Sequence, residues 1–351
     1  MKFTFNIIYT TGFVKYLSLF IFSLLKWSDC SFRLVANGCS SEEKRLLQTI
    51  CHKNARLEFL TLPSKHMMKH GDALDYLQSL EQSDYFCFMD SDILATGEFL
   101  REFILSLDQS AGVFSGFPIW CNNEEHMLPE TSPGMFGRHY RTTNGLCIGS
   151  TYFAMYHNKI LTQVLRATAM SFNKYQWQDI PTQYQNQFMK MGLKHETYDT
   201  GKVLNLLLLV QGESLVFKEV PSLKHIGGIS ACFALEHGFH WNYLQYRTFK
   251  KKILAWLFEG KFRRTLMTLA GIKEAKIPRL EITDDLLRSH PNRNRFMSYC
   301  YFTQLLQALF EHRPLPALPD MGSAEVEKKV EMLTKDIINF FKEFREQLPV
   351  N

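Results

Sequence analysis

The chain has 351 residues, of which 46% are hydrophobic and 21% are charged. This length suits two or three units of ordinary domain size, and the composition is typical of a globular protein. The formal charge is +5, from 40 basic and 35 acidic residues. So mild a positive charge gives no reason to expect a nucleic-acid partner, and we expect none.

The N-terminal segment is apolar enough to suggest a signal sequence or a membrane anchor. However, Lys15 interrupts it, and the uncharged run Tyr16–Leu25 is shorter than the roughly 20 residues that a spanning helix needs. The stretch "FTFNIIYT" is typical of a strand. We therefore predict a strand, a turn at Thr11-Gly12, and a largely buried helix that ends near Trp27.

Strand and helix patterns then alternate along the chain. They are, in order, the strand "FRLVANG", the helix "SSEEKRLLQTICHK", the strand "ARLEFLTLP", the helix "GDALDYLQSLEQ", the strand "YFCFMD" and the helix "GEFLREFILSLDQS". The strand "YFCFM" is apolar without alternation, as a central parallel strand is. This alternation predicts an α/β fold with a parallel sheet and helices on both faces.

Two consecutive strand patterns follow, "GVFSGFPIW" and "GSTYFAMYH", with a polar segment at residues 121–144 between them. Unstructured segments of this length are usually functional or mobile. Next come the predicted helices "NKILTQVLRATAM", "QDIPTQYQNQFMKMG" and "GKVLNLLLLVQG" and the short strand "SLVF". In the second of these helices Asp179 lies near the start, and Pro181 is expected in the first turn.

The character of the sequence changes after "LKHIGGIS". We predict an α/β domain over residues 1–235 and a helical C-terminal extension over residues 236–351. Residues 247–264 are basic and amphipathic, so they would either lie on an anionic membrane surface or pack their apolar side on the core. A proline-rich linker, "HRPLPALPDMG", precedes a last helix with apolar residues at helical spacing, namely Val326, Val330, Leu333, Ile337 and Phe341.

The eight cysteines form no Cys-x-x-Cys pair, so their spacing is not that of zinc ligands. Cys87 and Cys147 lie inside apolar runs, where a free thiol packs as a small hydrophobic group. This usage predicts reduced thiols and a cytoplasmic protein.

Asp90 and Asp92 follow the apolar strand "YFCFM". Ligands of parallel sheets bind beyond the carboxyl ends of the strands, and side chains two residues apart in an extended chain point the same way, roughly 7 Å apart. Carboxylates there can hold a hard divalent ion such as Mg²⁺ or Mn²⁺. Asp-Ser-Asp is also suited to an ordinary turn between a strand and a helix.

The order of elements and four short motifs resemble a GT-A-fold, family-2-like glycosyltransferase over about residues 3–230. The strongest motif is "FMDSDILATGEFL", because such enzymes carry an apolar strand that ends in Asp-x-Asp and holds a metal ion and a nucleotide-sugar diphosphate. The resemblance implies a GT-A-like, Rossmann-type mixed sheet flanked by helices, with a C-terminal helical appendage. It also implies sugar transfer from a nucleotide-sugar donor to a hydroxyl of a glycan or lipid-linked acceptor, with Mn²⁺ or Mg²⁺ as cofactor.

The second motif is "LKHIGGIS". A late histidine often completes the metal site of these enzymes, and a flexible loop over the diphosphate follows it. The resemblance therefore implies that His225 joins the two aspartates as a metal ligand, and that Gly227 and Gly228 contact the diphosphate. A histidine with a purely structural role is the alternative.

The third motif is "WQDIPTQ", which matches the place where inverting members carry their general base. The resemblance implies that Asp179 takes the proton of the acceptor hydroxyl. Family members often have Glu-Asp here, whereas this chain has Gln178-Asp179 and so offers one carboxylate. Helix capping is the alternative role for Asp179, and Asp199 of "TYDTG" is the alternative acid.

The fourth set of positions corresponds to the nucleoside-binding residues of the family. The resemblance places Thr10, Asn37 and Asp72 there as substrate-binding residues, together with Asp90. The second strand usually ends with Asp in the family, and this one ends with Asn37, which leaves the nucleobase open. Each of these residues is also typical of a turn.

Three other classes remain as alternatives. A phosphohydrolase of the haloacid-dehalogenase type has its Asp-x-Asp on an early strand, with Thr or Val two places after the second Asp, where this chain has Leu94. A nucleotidyltransferase usually has a basic, glycine-rich loop after its first strand, and "YTTGFVK" has one Gly and one Lys. The third alternative is a catalytically inactive nucleotide- or sugar-binding protein on the same fold.

Overall fold

A mixed sheet of seven strands forms the centre of the computed structural model, which describes residues 3–64, 66–121, 146–191, 193, 197–227, 229 and 293–347. In these ranges the strands are β1 (Thr4–Thr10), β2 (Ser31–Asn37), β3 (Leu57–Thr61), β4 (Tyr85–Met89), β5 (Ile93–Ala95), β6 (Gly112–Cys121), β7 (Leu146–His157), β8 (Tyr175–Gln176), β9 (Thr197–Tyr198), β10 (Leu215–Phe217) and β11 (Leu223–His225).

The helices of the described residues are α1 (Val14–Leu17), α2 (Ile21–Lys26), α3 (Ser41–His52), α4 (His70–Ser79), α5 (Leu100–Leu107), α6 (Asn158–Thr168), α7 (Thr182–Lys190), α8 (Lys202–Val210), α9 (Arg293–Phe310) and α10 (Ala324–Phe344). Three 3-10 turns add Ser18–Phe20, Trp177–Asp179 and Arg345–Gln347. The predicted N-terminal strand, turn and helix are confirmed, with the Ser18–Phe20 turn joining α1 to α2.

The main sheet has the strand order β10-β6-β7-β4-β1-β2-β3. Strand β1 is parallel to β2 and β4, and β2 is parallel to β3. Strand β7 is antiparallel to both β4 and β6. The parallel arrangement predicted from the alternation is confirmed for β1, β2, β3 and β4. Strand β7 is antiparallel and belongs to the later region, where two strand patterns follow each other without a helical pattern between them. The GT-A-like mixed sheet flanked by helices is confirmed.

The predicted helix that contains Asp179 is divided into two pieces. Asp179 lies in the 3-10 turn, while Ile180 and Pro181 are extended, with ψ of 131° and 138°, and α7 begins at Thr182. Proline disfavours helical backbone in the residue before it, which explains the break. Pro181 thus precedes the first turn of α7 instead of lying inside it.

The C-terminal helices pack against the N-terminal ones. The rings of Phe20 and Phe340 stack with centroids 6.0 Å apart, and those of Phe22 and Phe344 with centroids 6.1 Å apart. All five apolar residues predicted at helical spacing in α10 are buried, and they belong to the same hydrophobic cluster as the core residues of β1 and β2. The helical appendage is thus confirmed as part of this core, and the division at residue 235 stays a prediction.

Within the described residues, none of the helices combines the length and apolar character needed to cross a membrane. The basic segment 247–264 and the polar segment 122–144 lie outside the described residues. Their predicted roles stay predictions.

Candidate active site

Two short strands bring the Asp-x-Asp motif and the late histidine together. Asp90 follows β4 and donates its backbone N–H to the carbonyl oxygen of Tyr152 at 2.8 Å. Strand β5 begins directly after Asp92 and pairs antiparallel with β11, so that His225 lies opposite Ile93. Ile226 then donates its N–H to the carbonyl oxygen of Asp92 at 3.0 Å, and this pairing holds the His225 strand against the motif.

The side chains of Asp90, Asp92 and His225 form a compact cluster. Nε2 of His225 lies 3.3 Å from Oδ2 of Asp90 and 3.2 Å from Oδ1 of Asp92. One ligand atom from each residue lies within 4.8 Å of the other two. The side chains of Asp92 and His225 are 10% exposed and that of Asp90 is 32% exposed, so the cluster opens to solvent on the Asp90 side.

The two carboxylates decide the charge of His225. Burial by itself lowers the pKa of this imidazole, but the carboxylates of Asp92 and Asp90 outweigh burial and raise the pKa to about 9. The ring is therefore protonated at neutral pH when no cation is bound. Its positive charge partly offsets the two negative charges that the fold has placed beside it.

This donor set fits a divalent cation. Two carboxylates supply the oxygen ligands that Mg²⁺ and Mn²⁺ prefer, and an imidazole nitrogen is also an accepted ligand of first-row transition metals. The three ligand atoms already converge. A cation here would replace the proton of His225 as the positive charge of the cluster.

Tyr152 of β7 contacts both sides of the cluster, and sequence reasoning did not single it out. Its ring stacks on the imidazole of His225, with centroids 4.4 Å apart and an angle of 24° between the planes. Its hydroxyl accepts a hydrogen bond from Oγ of the buried Ser115 at 2.8 Å. A tyrosine in an apolar strand pattern looks like an ordinary core residue, so the sequence carries no signal for this role.

Gly227 follows the histidine in a conformation that favours glycine. Its φ is +76°, and a Cβ at this position would lie 3.4 Å from Cε1 of His225 and 3.6 Å from the ring of Tyr299 in α9. The C-terminal helices also reach this strand through Lys224, whose Nζ lies 3.6 Å from Oδ2 of Asp336 in α10. Gly228 lies outside the described residues, and its predicted contact stays a prediction.

Two of the predicted nucleoside-binding residues are neighbours. Thr10 and Asn37 are register partners at the carboxyl ends of β1 and β2. The Asn37 side chain is buried and contacts the backbone of Met68, because its Nδ2 donates to the carbonyl of Met68 at 3.0 Å and its Oδ1 accepts from the Met68 N–H at 2.7 Å. The Asn37 amide has capacity for one further donated and one further accepted bond, and its predicted contact with a nucleobase stays a prediction.

The remaining predicted residues have structural partners of their own. Oδ1 of Asp72, in the first turn of α4, accepts a hydrogen bond from Nδ2 of Asn173 at 2.7 Å. Asp179 is exposed, and its Oδ2 accepts from the Gln176 N–H at 3.2 Å, which is a capping role. Asp199 is exposed and accepts from the N–H of Thr200. The catalytic and binding roles of these residues stay predictions.

The strand order and the acidic edge of the sheet define a GT-A-like α/β protein with a candidate metal site. No protein-family model matches the sequence, and no curated protein matches it either. Solved structures similar to the chain include glycosyltransferases, at low identity.

The galactosyltransferase LgtC, in complex with donor and acceptor sugar analogues, is 10% identical, and the match covers 62% of this chain and 73% of that chain with a TM-score of 0.37. For the glycosyltransferase GlyE of Streptococcus pneumoniae TIGR4 the identity is 13%, the coverage 90% of this chain and 66% of that chain, and the TM-score 0.35. A candidate glucose-1-phosphate thymidylyltransferase from Bacillus anthracis, in complex with a sucrose, is 10% identical, covering 62% of this chain and 87% of that chain, with a TM-score of 0.36. The strand order, and not these distant likenesses, defines the fold.

Proposed function

We propose that the chain is a metal-dependent glycosyltransferase that moves a sugar from a nucleotide-sugar donor to a hydroxyl group of an acceptor. The observation that carries this proposal is the cluster of Asp90, Asp92 and His225 at the carboxyl edge of the sheet. Ligands of α/β folds bind at this edge, and a diphosphate needs a divalent cation beside it to leave readily.

The cluster would hold Mn²⁺ or Mg²⁺, and the bound ion would neutralise the negative charge of the departing nucleoside diphosphate. Asp90 is the most exposed of the three ligands, so it is also the one best able to contact the donor. The left-handed backbone at Gly227 turns the chain two residues after His225, and with Gly228 it would form the loop over the diphosphate. Tyr152 would keep the imidazole oriented by stacking on it.

The acceptor oxygen would attack the anomeric carbon while the bond from that carbon to the diphosphate oxygen breaks, with inversion of configuration. The proton of the acceptor hydroxyl would pass to the carboxylate of Asp179, which is exposed. A general base in this position contributes about 10²- to 10⁴-fold to the rate. Thr10, Asn37 and Asp72 would hold the nucleoside.

The acceptor would be a glycan or a lipid-linked sugar, with a peripheral membrane contact through residues 247–264. A cytoplasmic location is supported by the thiols. Cys30, Cys39, Cys51, Cys87 and Cys300 carry free thiols, as expected of a reducing compartment.

Two of the alternatives are disfavoured by contacts near the strand ends. At the turn after β1, the N–H of Gly12 and the hydroxyl of Thr11 both donate to the carboxylate of Glu43. A carboxylate therefore occupies the donors that a nucleotidyltransferase would offer to phosphate. Leu94 is buried within β5, where the phosphohydrolase motif requires a Thr or Val.

The first test is a thermal-shift series on the purified chain. The protein is freed of metal and then mixed with each common nucleoside diphosphate, with and without Mn²⁺. A ligand that binds only the folded state at a hundredfold excess over Kd stabilises it by about 2.7 kcal/mol. We expect a shift with one nucleotide that requires Mn²⁺ and is lost in Asp92→Asn. The control is Asp84→Asn, which changes an exposed aspartate before the other end of β4. No shift with any nucleotide would contradict the proposal.

The second test separates an enzyme from an inactive binding protein. The nucleotide sugar that corresponds to the stabilising diphosphate is incubated with wild type and with Asp179→Asn, and the released diphosphate is measured. We expect the variant to bind the donor normally and to release the diphosphate about 10²- to 10⁴-fold more slowly. Binding without any release by the wild type, across acceptors, would favour the inactive binding protein.

A further inference from the structure

The segment between α9 and α10 is exposed and contains neither helix nor strand. Its sequence from Arg313 to Pro319 is Arg-Pro-Leu-Pro-Ala-Leu-Pro. The arginine, both leucines and Pro314 are exposed, whereas Pro316 and Pro319 are half-buried. The proposed glycosyltransferase function gives this segment no role.

The sequence favours a polyproline II conformation for this backbone. Each proline fixes its own φ near −65°, and a residue that precedes a proline is held in the extended or polyproline II region. Among residues 313–319, Ala317 is the one residue that is neither a proline nor directly before one. The segment therefore needs little additional ordering to present a polyproline II helix to a partner.

The three-residue period of this helix sorts the side chains into edges. Arg313, Pro316 and Pro319 share one edge, and Leu315 and Leu318 share the next. The leucines are 49% and 41% exposed. Both leucines lie directly before a proline.

The two ends of the segment are fixed to the body of the protein. At its start the N–H of Arg313 donates to the carbonyl of Ala308 in α9 at 2.9 Å. At its end Met321 is buried, and its N–H donates to Oε1 of Glu327 in α10 at 3.1 Å. Because the flanking helices are packed into the core, the segment is held in place before any partner arrives, which lowers the entropy cost of binding.

We propose that residues 313–319 form a docking surface for an SH3-type domain, whose aromatic-lined groove takes polyproline II segments. The Leu315-Pro316 and Leu318-Pro319 pairs would fill two neighbouring aromatic pockets. Arg313 lies one turn before Pro316 on the same edge, where its guanidinium meets an acidic rim beside the groove with a charge-assisted hydrogen bond.

Arg313 can exchange its present partner for such a rim. Its Nε lies 2.8 Å from Oε2 of Glu311, and both side chains are solvent-exposed. Exposed ion pairs of this kind contribute between about 0 and 1 kcal/mol. A rim with several carboxylates therefore outcompetes Glu311 at little cost.

The test is calorimetric titration of the full-length chain with a recombinant SH3 domain that carries an acidic rim. We expect wild type to bind, and the double variant Pro316→Ala with Pro319→Ala to lose binding. Pro314→Ala is the matched control. It removes a proline from the edge that carries neither the leucines nor Pro316 and Pro319, so this variant should retain binding. Arg313→Glu should weaken binding by about tenfold or more, which corresponds to about 1.4 kcal/mol. Melting temperatures of all variants are compared to exclude unfolding.

Four outcomes would overturn the proposal. The first is the absence of binding by wild type. The second is a peptide of residues 311–321 that binds the domain while the whole protein does not, which would show that the protein covers the segment. The third is equal loss of binding in Pro314→Ala and in the double variant. Binding to a WW domain but not to the SH3 domain would likewise contradict the assignment of the partner.

Discussion

Raising the pH from about 6 to 9 should destabilise the metal-free protein, because folding raises the pKa of His225. The neighbouring carboxylates bring this pKa from the ordinary 6.5 to about 9. Below the unfolded pKa both states hold the proton, and the stabilisation by the carboxylates is fully present. It is lost progressively as the pH rises to and through the folded pKa. The interval between 6.5 and about 9 corresponds to about 3 kcal/mol of unfolding free energy.

Saturating Mn²⁺ should abolish this pH dependence. The cation replaces the proton of His225, so the imidazole is unprotonated in the metal-bound folded state and, above about pH 6.5, in the unfolded state as well. The unfolding free energy of the metal-bound protein is then constant over the same interval. At pH values below the folded pKa of His225, each increase of one pH unit should raise the apparent affinity for Mn²⁺ by up to about tenfold. The reason is that removing the proton from the imidazole costs less free energy at higher pH.

The assay is urea denaturation at about pH 6.5, 7.5 and 8.5, with chelator or with excess Mn²⁺. This range stays below the region where the buried thiols intervene, since the pKa of Cys30, Cys39 and Cys51 is raised to about 12 by burial, and their effect begins near their ordinary value of 9. His225→Asn should remove the slope, and Asp84→Asn should leave it unchanged. A metal-free stability that is flat or rises with pH, or the same falling slope with Mn²⁺, would refute the reasoning.

Three further predictions concern contacts around the sheet. Tyr152→Leu should lower the affinity for Mn²⁺ by roughly tenfold, whereas Tyr152→Phe keeps the stacked ring and should bind normally; equal affinities in Leu and Phe variants would disprove the positioning role. Arg56→Ala should lower the unfolding free energy by about 2 kcal/mol, since it leaves three backbone carbonyls near the end of α2 without their charged donor. An unfolding free energy equal to that of the wild type in urea titrations would contradict this. Gly71→Ala should cost about 1–3 kcal/mol, because its Cβ would lie 2.5 Å from Cα of Asn173; an unchanged melting temperature would show that the Asn173 backbone yields freely.

Local pattern was sufficient to predict the elements that carry the aspartates. Strand β4 is buried over four of its five residues, and its unbroken apolar run, flanked by helical patterns, identified it as central. The helix predicted over "SSEEKRLLQTICHK" likewise begins where Ser40 and Glu43 form a capping box. These features depend on residues close together in the chain, and a sequence shows such features directly.

The resemblance implied the meeting of His225 with the two aspartates, but other features that depend on distant pairing were not predicted. Strand β5 has three residues, and its partner β11 comes after the whole central part of the chain, so "ILA" after the aspartates gave no sign of a strand. The antiparallel direction of β7 and the stacking of Tyr152 on His225 have the same origin. The interpretation of Asn37 as a nucleobase contact could not include Met68, because the two meet only when the chain between β3 and α4 has folded back.

The most direct test of the central claim is a titration of the metal-free protein with Mn²⁺, in which free Mn²⁺ is followed by its electron paramagnetic resonance signal. We expect one site for each chain in the wild type and in Asp84→Asn, and loss of that site in Asp92→Asn and His225→Asn. Wild-type protein that binds no Mn²⁺, or Asp92→Asn that binds as tightly as wild type, would contradict the assignment of this cluster as the metal site of a glycosyltransferase.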